Sequence, residues 1–181
     1  PPENPLPTLL ITAVESPPPA SSLTAIGATP RRNALSPVSR LKAAPYLDNV
    51  LAREEARARG ADEALMLDTS GYLSCASVAN IFLWEGGRLT TPAEDCGILP
   101  GVTRAAVIEL ATRLGIEVVE DMIMPQRLAR ADGIFLTNSL MGIVPLSRVE
   151  RNELPPHRMT GRMQAAYELL LEAEEEATDE F

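Results

Sequence analysis

The apolar runs of this chain are short, and that limits what it can become. No run of 18 or more apolar residues occurs, so no segment is long and apolar enough to span a membrane as a helix. Short runs read as strands. They are expected at Thr8 to Val14, Leu23 to Arg32, Ala64 to Leu67, Tyr72 to Cys75 and Asn80 to Trp84. Further strands are expected at Arg88 to Thr90, Ile116 to Val119, Ile134 to Thr137 and Gly142 to Val149. Asp68-Thr69-Ser70-Gly71 forms one turn, and Glu85-Gly86-Gly87 a hairpin turn.

Helical periodicity is confined to a few places. One helix is expected from about Pro45 to Gly60, with Leu47, Val50, Leu51 and Ala58 toward the core and Arg53, Glu54 and Arg57 outward. Thr103 to Leu114 is a second, bracketed by Gly101 and Gly115. Pro125 to Arg130 is a short one, and Arg158 to Ala177 closes the chain. Strands and helices are mixed and no repeat period is present, so the class is α+β, or a mixed sheet in a barrel-like arrangement. We divide the chain into a linker remnant at 1–7, a domain at 8–170 and an acidic tail at 171–181. The tail reads as a solvated face. The proline-rich opening reads as a linker or a cut point, so a preceding segment is expected.

A net charge of -9 without a basic stripe argues against a nucleic-acid partner. Cys75 and Cys96 form neither a disulfide framework nor a metal pair, and a reduced, cytoplasmic setting is the default. His157 has no visible metal partner. The basic residues are more informative: of 16, only Lys42 is lysine. Arginine replaces lysine readily as a surface charge, but not where an amine must lose its proton and attack a carbonyl.

Three local patterns could serve a ligand. Gly101-Val102-Thr103-Arg104 opens a helix, and helix starts offer unpaired N–H groups to phosphate, although many ordinary helices begin the same way. Thr137-Asn138-Ser139 sits at a strand end, a place for ligand contacts or an ordinary turn. Cys75 ends a strand with no base in sight, and a lone buried cysteine is commonly a small hydrophobe. Asn80 reads as an amide tying down backbone at a strand start. Arg31 and Arg32 face either a ligand or, as the ordinary case, solvent.

In order and spacing, several phrases together resemble the class-IV aminotransferase family, the fold-type IV enzymes that use pyridoxal 5'-phosphate (PLP). They are Arg31-Arg32-Asn33, Ser36-Pro37, Leu41-Lys42, Tyr46 to Arg53, Gly60 to Ala64, Asn80-Ile81-Phe82, Thr91-Pro92, Gly101 to Arg104, Ala131-Asp132 and Thr137 to Gly142. The resemblance implies the larger domain of the D-amino-acid-aminotransferase-like fold. It implies that Lys42 attaches the cofactor covalently and later moves protons as acid and base. Val102 and Thr103 would bind the cofactor phosphate through backbone N–H groups, and Ser139 through its hydroxyl. Leu99 would pack on the pyridine ring, with Tyr46 and Cys75 also against the cofactor. No metal is implied. A small amino substrate and a homodimer are.

Within the family, Asn138 to Gly142 and the short gap from Lys42 to Tyr46 look most like the lyases that convert 4-amino-4-deoxychorismate to 4-aminobenzoate and pyruvate in folate synthesis. Branched-chain aminotransferases usually carry Gly-Thr where Asn138-Ser139 stands, and D-amino-acid aminotransferases are nearer. A non-catalytic or truncated family member is a third reading. Two departures stand out. Cys75 occupies the position of the family's glutamate, which keeps the pyridine nitrogen protonated. The smaller N-terminal domain, which brings an arginine to the phosphate and part of the substrate pocket, is not in this chain.

Overall fold

The computed structural model describes residues 8–15 and 20–179, the last five by backbone alone. Among these residues the order is β1 (Leu23–Arg32), α1 (Leu47–Ala58), β2 (Glu63–Asp68), β3 (Leu73–Ala76), β4 (Asn80–Glu85) and β5 (Arg88–Pro92). Then come α2 (Val102–Arg113), β6 (Val118–Asp121), β7 (Gly133–Asn138), β8 (Gly142–Val149), β9 (Asn152–Glu153) and α3 (Arg158–Asp179). Short 3-10 turns lie at Pro37–Arg40, Glu94–Cys96 and Pro125–Arg130. The linker assigned to 1–7, part of the proline-serine loop and the last two residues of the tail lie outside the described residues.

The strands form one mixed sheet in the order β3-β2-β1-β8-β7-β4-β5-β6, with β9 added beside β8. β1 runs parallel to β2 and β8, and β5 parallel to β6; the remaining main pairs are antiparallel. The sheet curls until its ends meet. The Leu73 N–H on β3 donates to the Ile123 carbonyl just past β6, at 2.8 Å. The fold is therefore α+β with a barrel-like mixed sheet, as the sequence implies.

Curling gives the sheet an inside and an outside, and both are buried. Inside lie Leu65, Leu73, Ile81, Leu83, Ile134, Leu136 and Leu146. Outside, Phe82, Trp84 and Phe135 pack under Val107 and Leu110 of α2 and Met163 and Tyr167 of α3, with Phe82 and Phe135 stacked at 5.0 Å. This is why β4 reads Asn-Ile-Phe-Leu-Trp without polar alternation: alternate side chains point into two different cores. The β4–β5 turn uses Gly86 and Gly87, both at positive φ (58° and 85°), the backbone that a tight hairpin demands.

Two expectations fail. Residues 8–15 form no strand. Leu9, Leu10, Ile11 and Val14 are 80–91% exposed, because no sheet edge lies beside them among the described residues. α1 also turns a different face inward. Ala52 and Ala56 are buried against Ile26, Ala28, Ala64 and Met66, and Asn49 is buried with its amide on the Ser77 carbonyl, while Leu47, Val50, Leu51 and Ala58 face out and Arg53 is half-buried. Small side chains let a helix lie close on a sheet, and here proximity outweighs side-chain hydrophobicity. α3 extends through Asp179, and its residues 171–174 are exposed.

Candidate active site

The C-terminal ends of β1, β3 and β7 and the start of β4 open onto one cleft of about 530 Å³. Its walls bring together every residue singled out for a site: Lys42, Tyr46, Cys75, Leu99, Val102, Thr103 and Ser139. Lys42 and Ser139 are exposed, Leu99 half-buried, Cys75 and Thr103 buried, and Val102 is open to solvent. Arg32, Asn49, Asn80, Thr137 and Asn138 join them.

α2 supplies one end. Its first residue follows Gly101, which has ordinary extended dihedrals, and no side chain caps the helix. The first-turn N–H groups are thus free to meet an anion. Gly101 is required by proximity rather than by φ. A Cβ there would stand 2.4 Å from Oδ1 of Asn80. The Asn80 amide donates to the Leu99 carbonyl at 2.9 Å, the backbone-tying role expected of it, and so fixes the loop entering α2. Two hydroxyls in the cleft wall, of Thr103 and Thr137, are buried with no hydrogen-bond partner. Buried side-chain polar atoms without a partner also occur outside the cleft, at Arg53, Thr90, Arg104 and His157, so these two hydroxyls are open donors rather than the mark of a ligand.

The opposite wall is organised around one peptide. The carbonyl of Ser77, on the β3–β4 turn, accepts from the Tyr46 hydroxyl at 2.7 Å and from the Asn49 amide at 2.8 Å. Ser77 donates in turn, through its N–H and hydroxyl, to the buried Glu63 carboxylate. Burial pushes the Tyr46 phenol up, and a charge on Cys75 would push it further. Burial likewise pushes the Cys75 thiol above its ordinary range; the nearby Arg32 charge and a hydroxyl contact from Ser74 at 3.8 Å oppose this. Cys75 is therefore a neutral thiol at neutral pH.

Among the described residues, the charged ones lining the cleft are Arg32 and Lys42, with no carboxylate beside them. Arg31 is exposed at the strand end, as expected, but Arg32 turns inward. Its donors reach the Gly97 carbonyl (3.2 Å), Oδ1 of Asn49 (2.9 Å) and the Ser39 carbonyl. Sequence reasoning missed Asn49 in the cleft and left Arg32 open. An amide one helical turn before the Ala52 and Ala56 stripe was the available signal. Asn138 donates to the Val78 carbonyl at 3.0 Å, and its Oδ1 accepts from the N–H groups of Leu140 and Met141, shaping the turn that presents Ser139.

Known proteins match on both sequence and shape. A curated protein of Methanocaldococcus jannaschii, provisionally assigned as a branched-chain-amino-acid aminotransferase, is 37% identical over 149 residues, 80% of this chain and 51% of that protein. This chain spans about half the length of the curated relatives it matches, or less. An aminotransferase structure from Brucella abortus, bound to PLP, superposes with TM-score 0.79 at 30% identity, covering 86% of this chain and 56% of that one. A Legionella pneumophila structure, provisionally assigned as a 4-amino-4-deoxychorismate lyase, gives TM-score 0.76 at 33% identity over 78% and 53% of the two chains. The profile for amino-transferase class IV matches residues 2–149, and the chain belongs to that family.

Proposed function

We propose that this chain holds pyridoxal 5'-phosphate in the cleft and forms the larger part of a lyase that converts 4-amino-4-deoxychorismate to 4-aminobenzoate and pyruvate. The observation that carries the reading is that Lys42, the chain's one lysine, shares with an uncapped helix start a cleft that no carboxylate lines among the described residues.

The residues present fit this cofactor. The first-turn N–H groups of α2, at Val102 and Thr103, would hold the phosphate, with Ser139 adding a hydroxyl. The unpartnered hydroxyls of Thr103 and Thr137 are further donors for such a group. Leu99 would cover a face of the ring. Lys42 would attach the cofactor covalently, then take and return a proton at Nζ. When bound, PLP supplies an electron sink for bonds at the substrate's amino-bearing carbon.

The buried, neutral Cys75 favours the lyase. A thiol is a poor partner for a protonated ring nitrogen, so the sink is weakened, and amino transfer suffers most from that. A lyase whose product becomes aromatic needs the sink less. The second reading is a branched-chain or D-amino-acid aminotransferase, and its branched-chain form draws support from the M. jannaschii relative. The exposed Leu47, Val50 and Leu51 of α1 support a homodimer. Among the described residues no helix is long and apolar enough to cross a membrane.

Pyruvate release from 4-amino-4-deoxychorismate, measured beside amino exchange between amino and keto acids, separates the readings. Pyruvate release dominating supports the lyase. Exchange without pyruvate release overturns it.

A further inference from the structure

We infer that Arg32 is a positioning residue, a clamp that sets where Lys42 and Leu99 stand in the cleft; the importance of those two residues rests on the cofactor reading above. Arg32 ends β1, and its backbone is fixed by the sheet: it pairs with Asp68 of β2, and its carbonyl accepts from the Thr69 N–H at 3.0 Å. From that rigid base the guanidinium reaches three separate segments. It donates to Ser39, three residues before Lys42; to Asn49, three residues after Tyr46; and to Gly97, two residues before Leu99.

The segments carrying Ser39 and Gly97 lie outside the sheet and lean on contacts of this kind, while α1, held on the sheet by Ala52 and Ala56, gives the clamp a second fixed point at Asn49. A planar fork with donors on three sides serves three acceptors at once, and an ammonium cannot reproduce that pattern. The acceptors are two carbonyls and an amide oxygen, so among the described residues no carboxylate is paired with Arg32. Its charge remains available to the cleft, where Cys75 and Tyr46 lie within its influence. The clamp and the charge can be separated experimentally, because lysine retains the charge and loses the fork.

The test compares the purified protein with R32K, R32Q and N49A. Hydrogen exchange is followed by mass spectrometry over residues 36–46 and 95–101, with PLP affinity by absorbance titration and Cys75 reactivity against pH. R32K is expected to speed exchange in both segments about tenfold, the loss of a charged hydrogen bond, and to weaken PLP by a similar factor. R32Q does the same and also moves Cys75 ionisation upward, whereas R32K leaves that ionisation in place. N49A also loses the bond to Ser77, so it is read over residues 95–101, which Asn49 does not bond; faster exchange there, by a smaller factor, decides the matter should the Arg32 variants not fold. Unchanged exchange in both segments overturns the clamp. Wild-type protein that takes up no PLP, in the presence of faster exchange in R32K, removes the cofactor reading and leaves the clamp standing.

Discussion

The two ends of the barrel are finished differently. At the hairpin end, where β4 stops and β7 starts, Glu85 holds Arg127 at 2.6 Å and the Asp132 carboxylate accepts from the Gly86 N–H at 2.8 Å; Arg127 also reaches Asp121, at the end of β6, at 2.7 Å. Both Glu85 and Asp121 are held below the usual carboxylate range, chiefly by their hydrogen bonds from Arg127. At the cleft end, reached along the same two strands, two cations line the wall without a carboxylate among the described residues, and a helix starts without a cap; buried polar atoms without partners occur in both regions, at Thr103 and Thr137 here and at His157 beside Trp84 there. One end satisfies its own charges. The other presents two cations and an open helix start with no carboxylate among the described lining residues, an arrangement suited to receive an anion.

The sharpest way to break this contrast is at Lys42. Lys42→Ala should abolish covalent attachment of PLP and lower turnover on the order of 10³-fold or more, read by borohydride trapping and by product formation. Gly101→Ala comes next. The new Cβ meets Asn80, so stability should fall by about 1–3 kcal/mol, with PLP affinity falling as the helix start is pushed from the loop; urea melts and an absorbance titration check both. Thr103→Val should have opposite effects in the two states. Removing an unsatisfied hydroxyl should raise the stability of the cofactor-free protein by about 1 kcal/mol, while PLP binds more weakly. Loss of both together would contradict the idea that the hydroxyl waits for a ligand. At the finished end, Arg127→Ala should cost only about 1 kcal/mol, since the pairs are partly exposed and screened, and should leave PLP affinity unchanged.

The smallest effect is one of pH. Burial, with Asp68 and Asp95 adding to it, pushes the Cys96 thiol from an ordinary 9.0 to about 11. Between those values the folded chain keeps a proton that the unfolded chain releases. Stability should therefore be fully present below pH 9 and decline as pH rises toward about 11. Cys96→Ala should flatten that slope in urea melts, though not remove it, because the Cys75 thiol is also pushed up.

Much of this was legible beforehand. β4, β7 and β8 announced themselves because a two-sided core needs continuous apolar residues, and Gly86-Gly87 because a tight hairpin needs positive φ. Lys42 stood out because no other side chain in the sequence offers a primary amine. What stayed hidden depends on tertiary approach. The core face of α1 follows its small residues, Asn49, Ala52 and Ala56, although periodicity ranked Leu47, Val50 and Leu51 first. Residues 8–15 carry strand-forming side chains, but a strand exists only beside a partner. The inward turn of Arg32 rests on three acceptors far apart in sequence, and no local pattern encodes it. The mutual demand of Gly101 and Asn80 is likewise a matter of contact across β4 and α2.

The most direct test of an anion-receiving cleft is to treat the purified protein with borohydride in the presence of PLP or of pyridoxal lacking the phosphate, and to map the label by peptide mass. The account predicts a single label on Lys42 with PLP and little or none with pyridoxal at the same concentration. A label absent from Lys42, or equal labelling by the two compounds, would contradict it.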